Sequence, residues 1–209
     1  MEIEAIIPEY HSKNILVRKL FLKRLEIAIG LAQKKINLKN DLNIIDLGCG
    51  EGKLLKLLEE RFKNIKIFGI DIEPSVIETE NFLKAKIKIA DIKDSGFPNN
   101  FFDIAFCLDV LEHFKDLEIP VREIKRILKP DGLLIVSVPV ENWFYRLGRL
   151  IIKKTMSAER GPCSSPHFHN AKIVEDFLGF NGFEIVEKIL LPAIPPLSLF
   201  HISSLRKNN

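Results

Sequence analysis

Between Asn43 and Pro139, short runs of Ile, Leu, Val and Phe alternate with segments whose apolar residues recur at helical spacing, and that rhythm admits few folds. Ile44–Leu47, Ile65–Ile70, Ile87–Ala90, Phe102–Leu108 and Leu133–Val138 read as strands, with helices expected over 52–62, 74–84 and 117–128. Strands joined through helices pair in parallel with right-handed crossovers, so an α/β domain is expected. Most of these runs are apolar throughout, as strands covered on both faces must be, whereas Ile87-Lys88-Ile89 carries a central Lys and reads as an edge. An amphipathic helix over 14–35 precedes the core. A helix over 171–180, closed by Asn181-Gly182, follows it, and Phe183–Leu191 and Leu197–Leu205 form a hairpin across Pro192, Pro195 and Pro196. The expected sheet is doubly wound and seven-stranded, mostly parallel with an antiparallel strand in the terminal hairpin, and has helices on both faces.

The first expected strand runs into Asp46-Leu47-Gly48-Cys49-Gly50-Glu51-Gly52 and then into a helix. Glycines let the chain turn through positive φ and let a ligand approach the backbone closely, while the following helix presents unpaired N–H groups to the same space. The spacing is G-x-G-x-G, not the G-x-G-x-x-G of pyrophosphate-binding loops, and Asp46 would repel a phosphate. A carboxylate there suits a cationic ligand. Asp71 ends the second strand about twenty residues on, where an acid can accept both hydroxyls of a ribose, although it could equally cap the next helix. Asp91 ends the third strand and can accept from an adenine amino group, or serve as an ordinary loop acid.

Three acids at the ends of three successive strands face the crevice where open α/β sheets bind ligands. With them stand Phe101-Phe102-Asp103-Ile104-Ala105-Phe106-Cys107-Leu108-Asp109-Val110-Leu111-Glu112-His113-Phe114 and Arg126-Ile127-Leu128-Lys129-Pro130-Asp131-Gly132. In this order, over roughly residues 40 to 140, these segments resemble the class I S-adenosylmethionine-dependent methyltransferases, in particular small-molecule enzymes of the ubiquinone-biosynthesis type. The resemblance implies a Rossmann-like fold with S-adenosyl-L-methionine as cofactor. It places Asp46, Gly48, Cys49 and Gly50 at the methionine end, Asp71 and Ile72 at the ribose, Asp91 and Ile92 around the adenine, and Leu108 against the cofactor through its backbone. Asp109 and His113 then fall near the methyl-transfer cavity. His113 is the catalytic candidate, as a base or as a structural histidine at a helix entrance. Cys49 and Cys107 read as packing.

Glu141–Lys154 mixes Trp143 and Tyr145 with Arg and Lys, and a Ser-, Pro- and His-rich stretch with His167 and His169 follows. Trp143, Tyr145, His167 and His169 are the substrate-side candidates: 141–154 reads as a lid, a plain core helix or a membrane-surface contact, and His167 and His169 as a base or substrate contact or as part of a helix-entry loop. His167-Phe168-His169 has the look of a metal pair, but no acid or cysteine other than Cys163 stands at ligand spacing, so no metal is expected.

With 209 residues, 46% of them hydrophobic, one domain is expected: a helical extension at 1–40, a cofactor core at 41–140, a lid at 141–170 and a terminal helix and hairpin at 171–209. Net charge of +3 gives no electrostatic reason for nucleic acid. No apolar run reaches the ~20 residues of a membrane span, and Met1–Tyr10 carries no basic leader. Cysteines at 49, 107 and 163 form no CxxC, which fits a reducing cytoplasm. The expected activity is methyl transfer to a small-molecule or lipid-like acceptor, with peripheral membrane contact as a secondary reading and either a monomer or a homodimer. Its rivals are a non-catalytic binding module of the same fold and an RNA methyltransferase, although Leu108-Asp109-Val110-Leu111 lacks the Asn/Asp-Pro-Pro-Tyr pattern used on base amino groups.

Overall fold

Strand β1 (Leu42–Leu47) pairs in parallel with β2 (Ile65–Asp71) on one side and with β4 (Phe102–Leu108) on the other. The computed structural model describes residues 14–38, 41–75, 83–140, 167–194 and 198–208. β3 (Lys86–Ile89) extends the sheet beyond β2, and β5 (Leu128–Pro139) extends it beyond β4. β7 (Phe200–Lys207) runs antiparallel to β5, and β6 (Phe183–Leu191) antiparallel to β7, giving the order β3-β2-β1-β4-β5-β7-β6. Strand order reverses between β1 and β4, and such a switch opens a crevice at the carboxyl ends of those strands.

Because successive strand residues point to opposite faces, Ile44 and Ile45 belong to different cores. Ile44, Ile104, Phe106 and Ile135 meet α1 (Ile15–Leu38) and α2 (Lys53–Arg61) on one face. Ile45, Phe102, Cys107 and Val136 meet α3 (Glu118–Ile127) and α4 (Ala171–Phe180) on the other. Caps set two of these helices: Asn14 Oδ1 accepts from Leu16 N–H at 3.0 Å, and Asn170 Oδ1 accepts from Ile173 N–H at 3.1 Å. α4 is tied to the hairpin by Glu175, which accepts from Lys188 Nζ at 2.6 Å and Ser203 Oγ at 2.8 Å.

The seven-stranded mixed sheet is the architecture expected from the sequence, and β3 does lie at an edge. The helix expected at 74–84 falls largely outside the described residues. β5 begins five residues before the expected Leu133, because Leu128 already pairs with Phe102 while Leu133 pairs with Ile104. The intervening Lys129-Pro130-Asp131-Gly132 bulges, with Asp131 at φ 58° and Lys129 Nζ held 2.7 Å from Asp103 Oδ2. β7 begins at Phe200, not Leu197, and continues past Leu205 because Arg206 and Lys207 still pair with Leu133 and Phe183.

Candidate active site

The glycine loop leaves β1 through three residues of positive φ: Gly48 at 83°, Gly50 at 47° and Gly52 at 70°. Gly48 and Cys49 N–H both donate to the Ile70 carbonyl, at 2.8 and 3.0 Å, so the loop folds back over the end of β2. Gly50 N–H donates to Asp71 Oδ2 at 2.8 Å, and Glu73 N–H donates to Oδ1 at 3.0 Å. Asp71 therefore clamps the loop, and each of its oxygens keeps a further acceptor site. At Gly48 a Cβ would lie 2.6 Å from Val110 Cγ2, so the residues after β4 pack against the loop too closely for any side chain. Cys49 fits over Gly69, where a Cβ would come within 3.0 Å of Cys49 Sγ.

Beneath the loop, Asp46 is 4% exposed. Burial first and the neighbouring Asp71 second push its carboxyl up to about 7, while Arg24 works to lower it. Arg24, itself buried, reaches in from α1 to pair with Asp109, whose other oxygen accepts from Ser137 Oγ. The guanidinium also lies over the Phe21 and Phe200 rings, 5.4 and 5.3 Å from their centroids. Asp109 sits at φ 56° and donates its N–H to the Ser137 carbonyl at 2.9 Å, which fixes the turn after β4. A small cavity of about 30 Å³ remains between Arg24, Leu25, Asp46, Gly48, Cys49, Lys53, Leu54 and Leu108. It is walled on one side by α1.

Burial pushes the thiols of Cys49 and Cys107 well above their ordinary range, which agrees with packing and not nucleophilic roles. Asp91 is exposed at the end of β3, accepting from Lys93 N–H at 2.9 Å, while the Asp71 carbonyl accepts from Ala90 N–H and joins the two strand ends. Ile72 stands 70% exposed beside Asp71, whereas Ile92 is buried in the core under α3. Leu108 reaches the cavity.

His113 lies on a single 3₁₀ turn, Leu111–His113, and the fold brings His167 against it with ring centroids 4.9 Å apart. Phe168 N–H donates to the Glu112 carbonyl at 2.8 Å, holding the 167–170 segment on that turn, and His169 Nε2 lies 3.3 Å from the Lys115 carbonyl. The fully buried carboxylate of Glu112 joins the two imidazoles, one ligand atom from each residue lying within 4.8 Å of the others. His167 thus partners Glu112 and His113, not His169. Trp143 and Tyr145 lie outside the described residues.

Four positions escaped the sequence reading: Arg24, Val110, Glu112 and Ser137. Arg24 looked like a solvent-facing cation, yet it falls in helical step with the buried Ala28 and Ala32, a spacing that marks it as inward. Glu112 carried no such signal, because it lies on a single 3₁₀ turn where no periodic pattern marks its burial.

A profile described as a methyltransferase domain matches residues 17–188. The chain belongs to the methyltransferase domain family. An uncharacterized protein of Methanocaldococcus jannaschii is 31% identical over 84% of this chain and 68% of its own length. A malonyl-[acyl-carrier protein] O-methyltransferase of Acetivibrio thermocellus is 32% identical over 70% of this chain, which covers 55% of that enzyme. This methyltransferase-family chain therefore spans about half to two thirds of those relatives' lengths. Among solved structures, the PH0226 protein of Pyrococcus horikoshii superposes with a TM-score of 0.68 over 97% of both chains at 18% identity. The magnesium protoporphyrin IX methyltransferase of Synechocystis, solved with bound SAH, gives 0.67 over 94% of this chain and 89% of its own at 19% identity. These two share the fold.

Proposed function

We propose that this methyltransferase-family chain binds S-adenosyl-L-methionine and transfers its methyl group to a small-molecule or lipid-like acceptor. The observation that carries the reading is Asp46, a carboxyl buried under a glycine cradle and held up to about 7, where a cationic ligand is worth most. The chemistry of the loop fits the cofactor: Gly48 has no room for a Cβ, and Asp71 holds the Gly50 amide while retaining acceptor capacity for ribose hydroxyls. When bound, the cofactor supplies an electrophilic methyl on a sulfonium.

The chain's residues then act by position. Asp46 faces the cofactor's ammonium end with Gly48, Cys49 and Gly50; Asp71 and Ile72 take the ribose side; Asp91 and Ile92 frame the adenine; Leu108 borders the donor. His113, His167 and His169 stand on the acceptor side together with the segment carrying Trp143 and Tyr145. Alignment of donor and acceptor in a site shielded from water supplies much of the rate enhancement. The acceptor class is supported by the small-molecule and lipid acceptors in relatives' names, including the sterol 4-C-methyltransferase of Caenorhabditis elegans and the ubiquinone biosynthesis O-methyltransferase of Bradyrhizobium diazoefficiens. A cytoplasmic location belongs to the same reading and is supported by the unbridged Cys49 and Cys107. No described helix is long and apolar enough to cross a membrane.

Two measurements test this reading. Asp71→Ala should weaken cofactor binding in calorimetry by about tenfold or more, since a hydrogen bond to a charged group contributes roughly 1.5–3 kcal/mol; unchanged affinity sinks the ribose assignment. Methyl-labelled cofactor incubated with lipid, RNA and soluble pools of cell extract should label the lipid or soluble pool. Label confined to RNA overturns the acceptor class, and cofactor binding with label in no pool leaves a non-catalytic module.

A further inference from the structure

We propose that Glu112, His113 and His167 form a binding site for a divalent first-row transition-metal ion beside the methyl-transfer crevice. The donor set is assembled by tertiary structure: Glu112 and His113 come from the turn after β4, and His167 comes from the entry to α4, more than fifty residues later. Among the described residues this is the one group of three His, Cys, Asp or Glu side chains close enough together to share an ion.

Several independent features support a ligand set over a chance meeting. The Glu112 carboxylate is fully buried, which holds it in place on the inner side of the cluster. Both imidazoles are half-buried, and each can present a neutral nitrogen. The backbone is fixed on both sides: Phe168 N–H to the Glu112 carbonyl at 2.8 Å, and His113 N–H to the Val110 carbonyl at 3.1 Å. Ligand atoms within 4.8 Å of one another need to draw in by at most about 1.5 Å to meet a zinc-type ion, whose bonds of about 2.0–2.2 Å hold ligands roughly 3.3–3.5 Å apart. Side-chain rotation can supply that.

Two imidazoles and a carboxylate suit zinc, iron, cobalt or manganese better than magnesium or calcium, which favour all-oxygen shells. Three protein ligands also leave the ion at least one open position, the pattern of reactive and not purely structural sites. Its place follows from Val110, which packs against Gly48 and lies two residues before Glu112. On the methyl-transfer reading, an oxygen-bearing acceptor is the ligand an ion there would take at its open position. That last consequence rests on the methyl-transfer reading; the site itself does not.

Metal binding is read directly on the full chain, without cofactor or acceptor. After chelator treatment, titration with Zn2+ against a chromophoric competitor, and with Co2+ by visible absorption, should show one site per chain of micromolar affinity or tighter. His113→Asn and His167→Asn should each weaken it by tenfold or more, while His169→Asn leaves it unchanged. Circular dichroism melts establish that the variants fold, and His167→Asn provides the decisive comparison if the Glu112→Gln variant does not. No saturable binding, equal affinity in the parent and His167→Asn, or thiolate charge-transfer bands with Co2+ would overturn the assignment. Metal binding without methyl transfer would leave this site standing and remove the proposed function; methyl transfer without metal binding would do the reverse.

Discussion

Replacing Asp46 with Asn should abolish a proton release that accompanies cofactor binding. In the free protein, burial and then Asp71 raise this carboxyl from 3.8 to about 7, with Arg24 opposing them. A shift of roughly three units corresponds to about 4 kcal/mol of preference for the neutral form. Because the folded pKa lies above the unfolded one, the group's stabilising contribution is complete below 3.8 and is lost as pH rises toward about 7. A ligand ammonium reverses that preference by favouring the ionised form. At pH 6 roughly nine tenths of the free protein carries the proton, and at pH 7.5 roughly a quarter, so binding should release about 0.9 proton at the lower pH. Affinity should then fall about eightfold from pH 7.5 to pH 6. Calorimetry with S-adenosylhomocysteine, which carries the same ammonium, in buffers of contrasting ionisation enthalpy measures both quantities. Asp46→Asn should bind more weakly at pH 7.5, with no proton release at pH 6 and a flat profile. Zero proton release by the parent at pH 6, or the same release in the Asn variant, would refute the reasoning.

Two further substitutions test how the fold supports the site. Gly48→Ala places a Cβ 2.6 Å from Val110 Cγ2 at a φ of 83°, and should destabilise the protein by about 1–3 kcal/mol and weaken cofactor binding. Gly30→Ala, on α1 with nothing within 4 Å of its Cβ, should instead gain up to about 1 kcal/mol, and thermal melts of the pair give the contrast. At Glu175 burial alone would raise the pKa, but hydrogen bonds from His201, Lys188 and Ser203 outweigh it and bring the value from 4.5 down to about 2. Its contribution is therefore present above 4.5 and lost as pH falls toward about 2, and Glu175→Gln should cost at most about 3 kcal/mol at pH 7. Urea unfolding should show that cost shrinking at pH 3; a cost independent of pH would contradict the assigned charge.

The glycine loop and the alternating strands and helices were legible because each is a local code. Gly48, Gly50 and Gly52 are needed by the backbone of their own turn, and the apolar runs of β1, β4 and β5 report burial on both faces wherever they are placed. The sequence alone therefore determined the sheet, the position of its crevice and the acids Asp46, Asp71 and Asp91 at the strand ends. It misjudged β5, since the bulge at Lys129–Gly132 is set by pairing with β4 and not by the residues' own preferences. Arg24 was hidden for a similar reason: an arginine on a helix reads as solvated unless Asp109 and Ser137 are known to wait beneath it. His167 shows the same limit most clearly. Along the chain its neighbour is His169, but in space its partners are Glu112 and His113, far away in sequence. Periodicity and turn chemistry act over a few residues, whereas charge pairing and ligand convergence act through space; the first determined the scaffold, and only the tertiary structure decided which side chains meet on it.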